Sequence, residues 1–62
     1  MDKDSLLKMD SNILLSIINM KLRDFYSSLE SLCQDIDVKE EELKEKLSSI
    51  GYEYKKDQNQ FK

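Results

Sequence analysis

The side chains able to do covalent or metal chemistry are few. Cys33 is the single cysteine in 62 residues, and there is no histidine. A thiol becomes a working nucleophile beside a base such as an imidazole, and this chain has none to offer. One thiol does not close a tetrahedral zinc site either. The acidic stretch from Asp35 to Glu45 lacks the alternating oxygen ligands and central glycine of a calcium loop. A glycine-rich phosphate cradle is excluded because Gly51 is the only glycine. The expectation is a protein without catalytic residues, cofactor or metal, with Cys33 serving as a small buried hydrophobe.

The remaining chemistry is recognition. Lys21, Arg23, Lys55 and Lys56 are candidate nucleic-acid contacts, and Tyr52 and Tyr54 could stack on bases. The four cations converge only if the C-terminal segment folds back beside the helix that carries Lys21 and Arg23. Charge weighs against this reading. Between Ser27 and Gly51 the acids Glu30, Asp35, Asp37, Glu40, Glu41, Glu42 and Glu45 face only Lys39, Lys44 and Lys46. Phosphate neutralisation by Lys and Arg supplies most non-specific nucleic-acid affinity, and here the sign is wrong. The tyrosines are better explained as a lid on a small core.

These residues must be positioned by helices. There is no proline, so breakers are scarce. Residues 1–9 read as an arm in which Leu6, Leu7 and Met9 are free to dock or to remain mobile. A first helix is expected from Ser11 to Tyr26, with Asp10 as N-cap. At about 100° per residue its Ile13, Leu14, Leu15, Ile17, Ile18, Leu22, Phe25 and Tyr26 fan over roughly 220°, and Met20 widens the arc. Asn12, Ser16, Asn19 and Arg23 form the polar strip; Lys21 and Asp24 interrupt the apolar side. A second, short helix starts at Ser27 with a capping box through Glu30 and carries Leu29, Leu32, Cys33 and Ile36 on one stripe. A tight turn at Asp37-Val38 leads to a third helix from about Lys39 to Ile50, with Leu43, Leu47 and Ile50 inward. Glu40–Lys44 and Glu42–Lys46 are spaced as helical ion pairs. Gly51 closes this helix in the left-handed conformation. The period then changes to two: Tyr52 and Tyr54 share a face, Lys55-Lys56-Asp57-Gln58 makes a turn, and Phe61 returns, giving a hairpin over about 51–61. No internal repeat is present.

The fold expected is therefore mainly α: one domain, residues 10–62, of three helices in a helix-turn-helix-like order with a short C-terminal β-hairpin. A domain of this length buries only about 60% of its unfolded surface, so its margin is thin. Low cysteine content and the lack of an export signal point to the cytoplasm, and no apolar run is long enough for a bilayer.

Asn12 to Asp24, followed by Tyr26-Ser27-Ser28-Leu29, Leu32-Cys33, Ile50-Gly51-Tyr52-Glu53-Tyr54 and Asn59-Gln60-Phe61, resembles a family of short bacterial proteins known only as a domain of unknown function. The resemblance spans nearly the whole chain and implies a stand-alone bacterial protein, with no activity to carry over. Ser11 stands where the family pattern has proline, and Lys39 where it has an acidic cap. Residues 29–54 are similar to the small N-terminal module of bacterial translation initiation factor two, which supports the helix-turn-helix-like fold.

The first helix carries more apolar surface than the second and third helices offer to cover. The functional expectation is a non-enzymatic interaction module that binds protein, a partner or a second copy, through helix 11–26. Its candidate surface is Ile13, Leu15, Ile17, Met20 and Leu22. The alternative is a nucleic-acid- or ribosome-associated domain using the four cations above.

Overall fold

The computed structural model describes residues 2–62. Its elements run α1 (Lys3–Lys8), α2 (Ser11–Asp24), α3 (Leu29–Ile36), α4 (Glu40–Ser48), β1 (Tyr54–Lys55) and β2 (Gln60–Phe61). The class is mainly α with a two-stranded antiparallel hairpin, as the sequence implies, but the described residues form four helices rather than three.

The additional helix lies in residues 1–9, read from sequence as an arm; Met1 falls outside the described residues. Asp2 caps α1, its Oδ1 accepting from Ser5 N at 2.8 Å. That backbone N–H, followed by the Ser5 side chain, holds the Asp2 carboxyl below its ordinary value. One turn and a half brings Leu6 into full burial, with Leu7 and Met9 packed against the core. Lys3 Nζ meets Glu42 Oε1 of α4 at 3.2 Å. Six residues are too few for a helix to be stable alone, so α1 exists because Leu6 is buried.

Asp10 caps α2 as expected, accepting from Asn12 N at 3.0 Å and Ile13 N at 3.2 Å. The helix ends at Asp24 rather than Tyr26. Ser28 caps α3, with Ser31 N donating to its Oγ at 3.1 Å. The second helix thus starts two residues later than Ser27, because Ser28 rather than Ser27 supplies the cap, and Leu29 is buried as expected. Asp37, at φ 63°, closes it in the left-handed conformation, and Val38 N then donates back to Cys33 O at 3.0 Å. Asp37 is one of the few non-glycine residue types that adopt this conformation readily.

The third expected helix is shorter than Lys39–Ile50. Lys39 is its N-cap and has no side-chain acceptor; Glu42 instead accepts from Lys39 N at 3.4 Å. Glu42 is also engaged by Lys3, so the ion pairs among the described residues do not include Glu42–Lys46 or Glu40–Lys44. At the far end Tyr52 N donates to Leu47 O at 3.1 Å and Gly51 N to Ser48 O at 2.9 Å, with Gly51 at φ 84°. This paired closure requires a left-handed residue, which glycine supplies without a Cβ penalty.

The core is built from Leu6, Leu14, Ile18, Leu22, Leu29, Leu32, Cys33, Val38, Leu43, Leu47 and Phe61. It draws on all four helices and on β2. Tyr54 pairs with Phe61 across the hairpin, the ring centroids 5.5 Å apart and tilted by 52°.

Candidate interaction surface on helix α2

Three residues of α2 face the core at successive turns: Leu14, Ile18 and Leu22, all buried. The other candidate residues fall around this stripe at different depths. Leu22 is 2% exposed, so its place on the proposed surface is corrected: it belongs to the core because it lies in line with Leu14 and Ile18. Leu15 is half-buried and packs against the core. Ile13 is 56% exposed. Ile17 and Met20, at the next two turns on the same side as Ile13, are half-buried. Phe25, just past the helix, is 70% exposed. Lys21 Nζ lies 5.9 Å from its ring centroid, within cation–π range. The outward surface therefore reduces to Ile13, Ile17 and Met20, with Phe25 beyond the C-terminal end.

The opposite flank of α2 is occupied by the hairpin. Glu53 and Lys62 exchange both backbone hydrogen bonds, at 3.1 and 2.9 Å. In an antiparallel ladder bonded and non-bonded pairs alternate, so Tyr54–Phe61 is a non-bonded pair. The N–H and C=O of Phe61 consequently point away from β1. The Asn19 carboxamide meets both: Phe61 N donates to its Oδ1 at 2.8 Å, and its Nδ2 donates to Phe61 O at 3.0 Å. Asn19 acts as a one-residue substitute for a third strand.

Asn59 makes a second tie. It sits at φ 51°, the left-handed position that lets a glycine-free turn close. Gln58 N donates to Lys55 O at 3.1 Å across that turn. The Asn59 Nδ2 donates to Leu22 O and Tyr26 O, both at 3.0 Å, satisfying a carbonyl that α2 leaves open at its end. Its Oδ1 accepts from the Tyr54 hydroxyl at 2.7 Å, and that hydroxyl accepts from Leu29 N at 3.2 Å. One chain of hydrogen bonds thus joins the end of α2, the start of α3 and the hairpin. The sequence places Asn19 on a polar strip and gives Asn59 no structural role. The available signal was an Asn where the turn needed a left-handed residue.

Three of the four cations of the alternative reading are separately engaged. Arg23 Nε and Nη2 donate to the Asp24 carboxylate at 2.9 and 3.0 Å, and Lys55 Nζ meets Glu53 Oε2 at 3.4 Å. Lys21 lies over Phe25. Lys56 borders a depression that also contains Glu30 and Glu40. Arg23 borders a different groove, of about 660 Å³, between α2 and Gln58–Gln60. The hairpin does fold beside α2, but it brings amides rather than a basic patch.

Cys33 is 4% exposed. Burial, followed by the charge of Glu40, pushes its thiol from an ordinary 9.0 up to about 11. Such a thiol is poorly ionised at neutral pH. Among the described residues no group of three His, Cys, Asp or Glu is placed to hold a metal ion. No helix among them is long and apolar enough to cross a membrane.

What fold and surface define is a small, mainly α domain sealed by a C-terminal hairpin, with one helix both central and partly uncovered. The chain matches the family described as Domain of unknown function (DUF4250) over residues 8–61, and it belongs to that family. No curated protein and no solved structure matches it.

Proposed function

We propose that this domain is a protein-interaction module whose contact surface is the outer stripe of α2, Ile13, Ile17 and Met20. The observation that carries the reading is the exposure of Ile13, at 56%, next to a fully buried Leu14. An exposed isoleucine continued by two half-buried apolar neighbours at i+4 and i+7 offers a partner a ready apolar strip. The partner chemistry that fits is an apolar helix or an apolar groove, with Lys21 and Phe25 at one end of the contact. The lack of an imidazole and the buried, poorly ionised Cys33 support a binding role over a catalytic one.

Site-specific photocrosslinking in the cells that make the protein tests this reading. A crosslinking side chain at position 13 should give one discrete adduct, and the same group at the exposed Glu41 should not. Met20→Lys should abolish the adduct while leaving the helical circular dichroism unchanged. An adduct of twice the chain mass identifies a second copy as the partner. Identical smears at both positions, or an adduct indifferent to Met20→Lys, would refute it.

A further inference from the structure

The two edges of the hairpin are finished differently. The outer edge of β2 is closed, because Asn19 takes both main-chain groups of Phe61. The outer edge of β1 is not. Tyr54 shares the non-bonded position with Phe61, so its N–H and C=O also point away from the partner strand. Neither makes a hydrogen bond among the described residues. An open depression bordered by Lys44 and Ser48 of α4 and by Tyr52, Glu53 and Tyr54 runs alongside, so α4 lies near this edge without bonding to it among the described residues. An uncovered strand edge is a template for another strand unless charge or shape prevents it.

Here the charge pattern favours one particular strand, its own. Glu53 and Lys55 flank Tyr54 and lie on the same face of β1, their charged groups 3.4 Å apart. An antiparallel pairing centred on Tyr54 sets Glu53 opposite Lys55 of the second strand, and Lys55 opposite Glu53. Both cross-strand pairs are of opposite sign, and both fall at the non-bonded position where side chains approach most closely. Tyr54 then exchanges its two free main-chain bonds with its own copy. We propose that β1 associates with β1 of a second copy of this chain in this register, about a two-fold axis through Tyr54. Such an interface is isologous, closing at two subunits. A strand this short makes a contact well below the roughly 1,200 Å² of stable complexes, so the dimer forms only at high protein concentration. The outer stripe of α2 takes no part in it.

Sedimentation equilibrium on the full chain, with amide NMR followed over concentration, tests the proposal. The Tyr54 amide resonance should shift with concentration while that of Phe61, held by Asn19, stays in place. Glu53→Lys sets lysines against lysines across the axis, and Lys55→Glu sets glutamates against glutamates. Each should weaken self-association about tenfold. Both side chains are exposed and their mutual contact adds little to stability, so the fold should persist, as circular dichroism will report. An equimolar mixture of the two variants restores opposite charges across the axis and should associate as tightly as the original chain. Raised salt should weaken the original dimer. Met20→Lys should leave it unchanged, which separates this proposal from the α2 reading. A chain that stays monomeric to about millimolar concentration, single variants that associate like the original, or a mixture no tighter than its components would each overturn it.

Discussion

On one flank of α2, Asn19 is locked to Phe61 and the last open carbonyls are taken by Asn59. On the other flank, Ile13 stands open and Ile17 is half covered, while half-covered Met20 also borders the groove between α2 and the hairpin. The same helix thus has a side whose polar residue is tied into the fold and a side whose apolar residues are left partly open. Half-buried Asn19 is thus covered as far as Ile17 and Met20 are, and further than Ile13. The lesson is that in so small a domain the choice of which face to bury is made by the partners available, here a hairpin offering backbone amides rather than side-chain area.

That contrast can be broken by substitution, beginning with the face that both flanks share. Ile18→Ala should cost about 2–5 kcal/mol in urea unfolding, since it leaves a cavity where Leu14, Ile18 and Leu22 converge. In a domain of this size that loss should leave a substantial fraction unfolded at room temperature. Next in size is the hairpin flank. Asn19→Ala strands both main-chain groups of Phe61 and should cost about 1–3 kcal/mol in the same assay. Asn59→Gly keeps the left-handed turn but removes the amide, and should cost about 1 kcal/mol, isolating the hydrogen bonds from backbone strain.

Alkaline titration gives an effect with a definite sign. The folded chain retains the Cys33 proton to about 11, whereas the unfolded thiol releases it near 9.0. This contribution is whole below about pH 9 and is lost as pH rises toward about 11. The Tyr26 hydroxyl, raised by its hydrogen bond to Asp35, acts in the same direction. The urea midpoint should fall between about pH 9 and about pH 11, and fall less in Cys33→Ala. Last comes the open flank. Ile13→Ser should change stability by no more than about 0.5 kcal/mol, in clear contrast to Ile18 five residues on. A loss comparable to that of Ile18→Ala would mean the stripe is part of the core.

The elements whose cause is local could be read from the sequence. Asp10 before an apolar run, Gly51 after one, and the change of period at Tyr52 each state their structure within a few residues, and the structure has them. The core stripe of the second helix and the burial of Cys33 follow from spacing alone. What was not legible depends on distant residues. Leu6 looked like part of an arm because a six-residue helix has no signature of its own and forms only on the finished core. Leu22 and Ile13 belong to the same apolar arc, and only the positions of α3, α4 and β2 decide that one is buried and the other is open. Asn19 reads as a solvated residue until the hairpin edge is placed against it.

The tie between Asn59 and the end of α2 also bears on time. Leu22 and Asn59 are 37 positions apart, and Asn19 and Phe61 are 42 apart. The helices are made of neighbours and can form in microseconds, but these bonds must wait for a long loop to close. Until it does, the last turn of α2 has no acceptor satisfied from outside and the first amide of α3 no hydroxyl to meet. The helices can therefore form before the seal that joins them. The interval in which helices exist without their seal is the time when Ile18, Leu22 and Phe61 are open to the wrong neighbour.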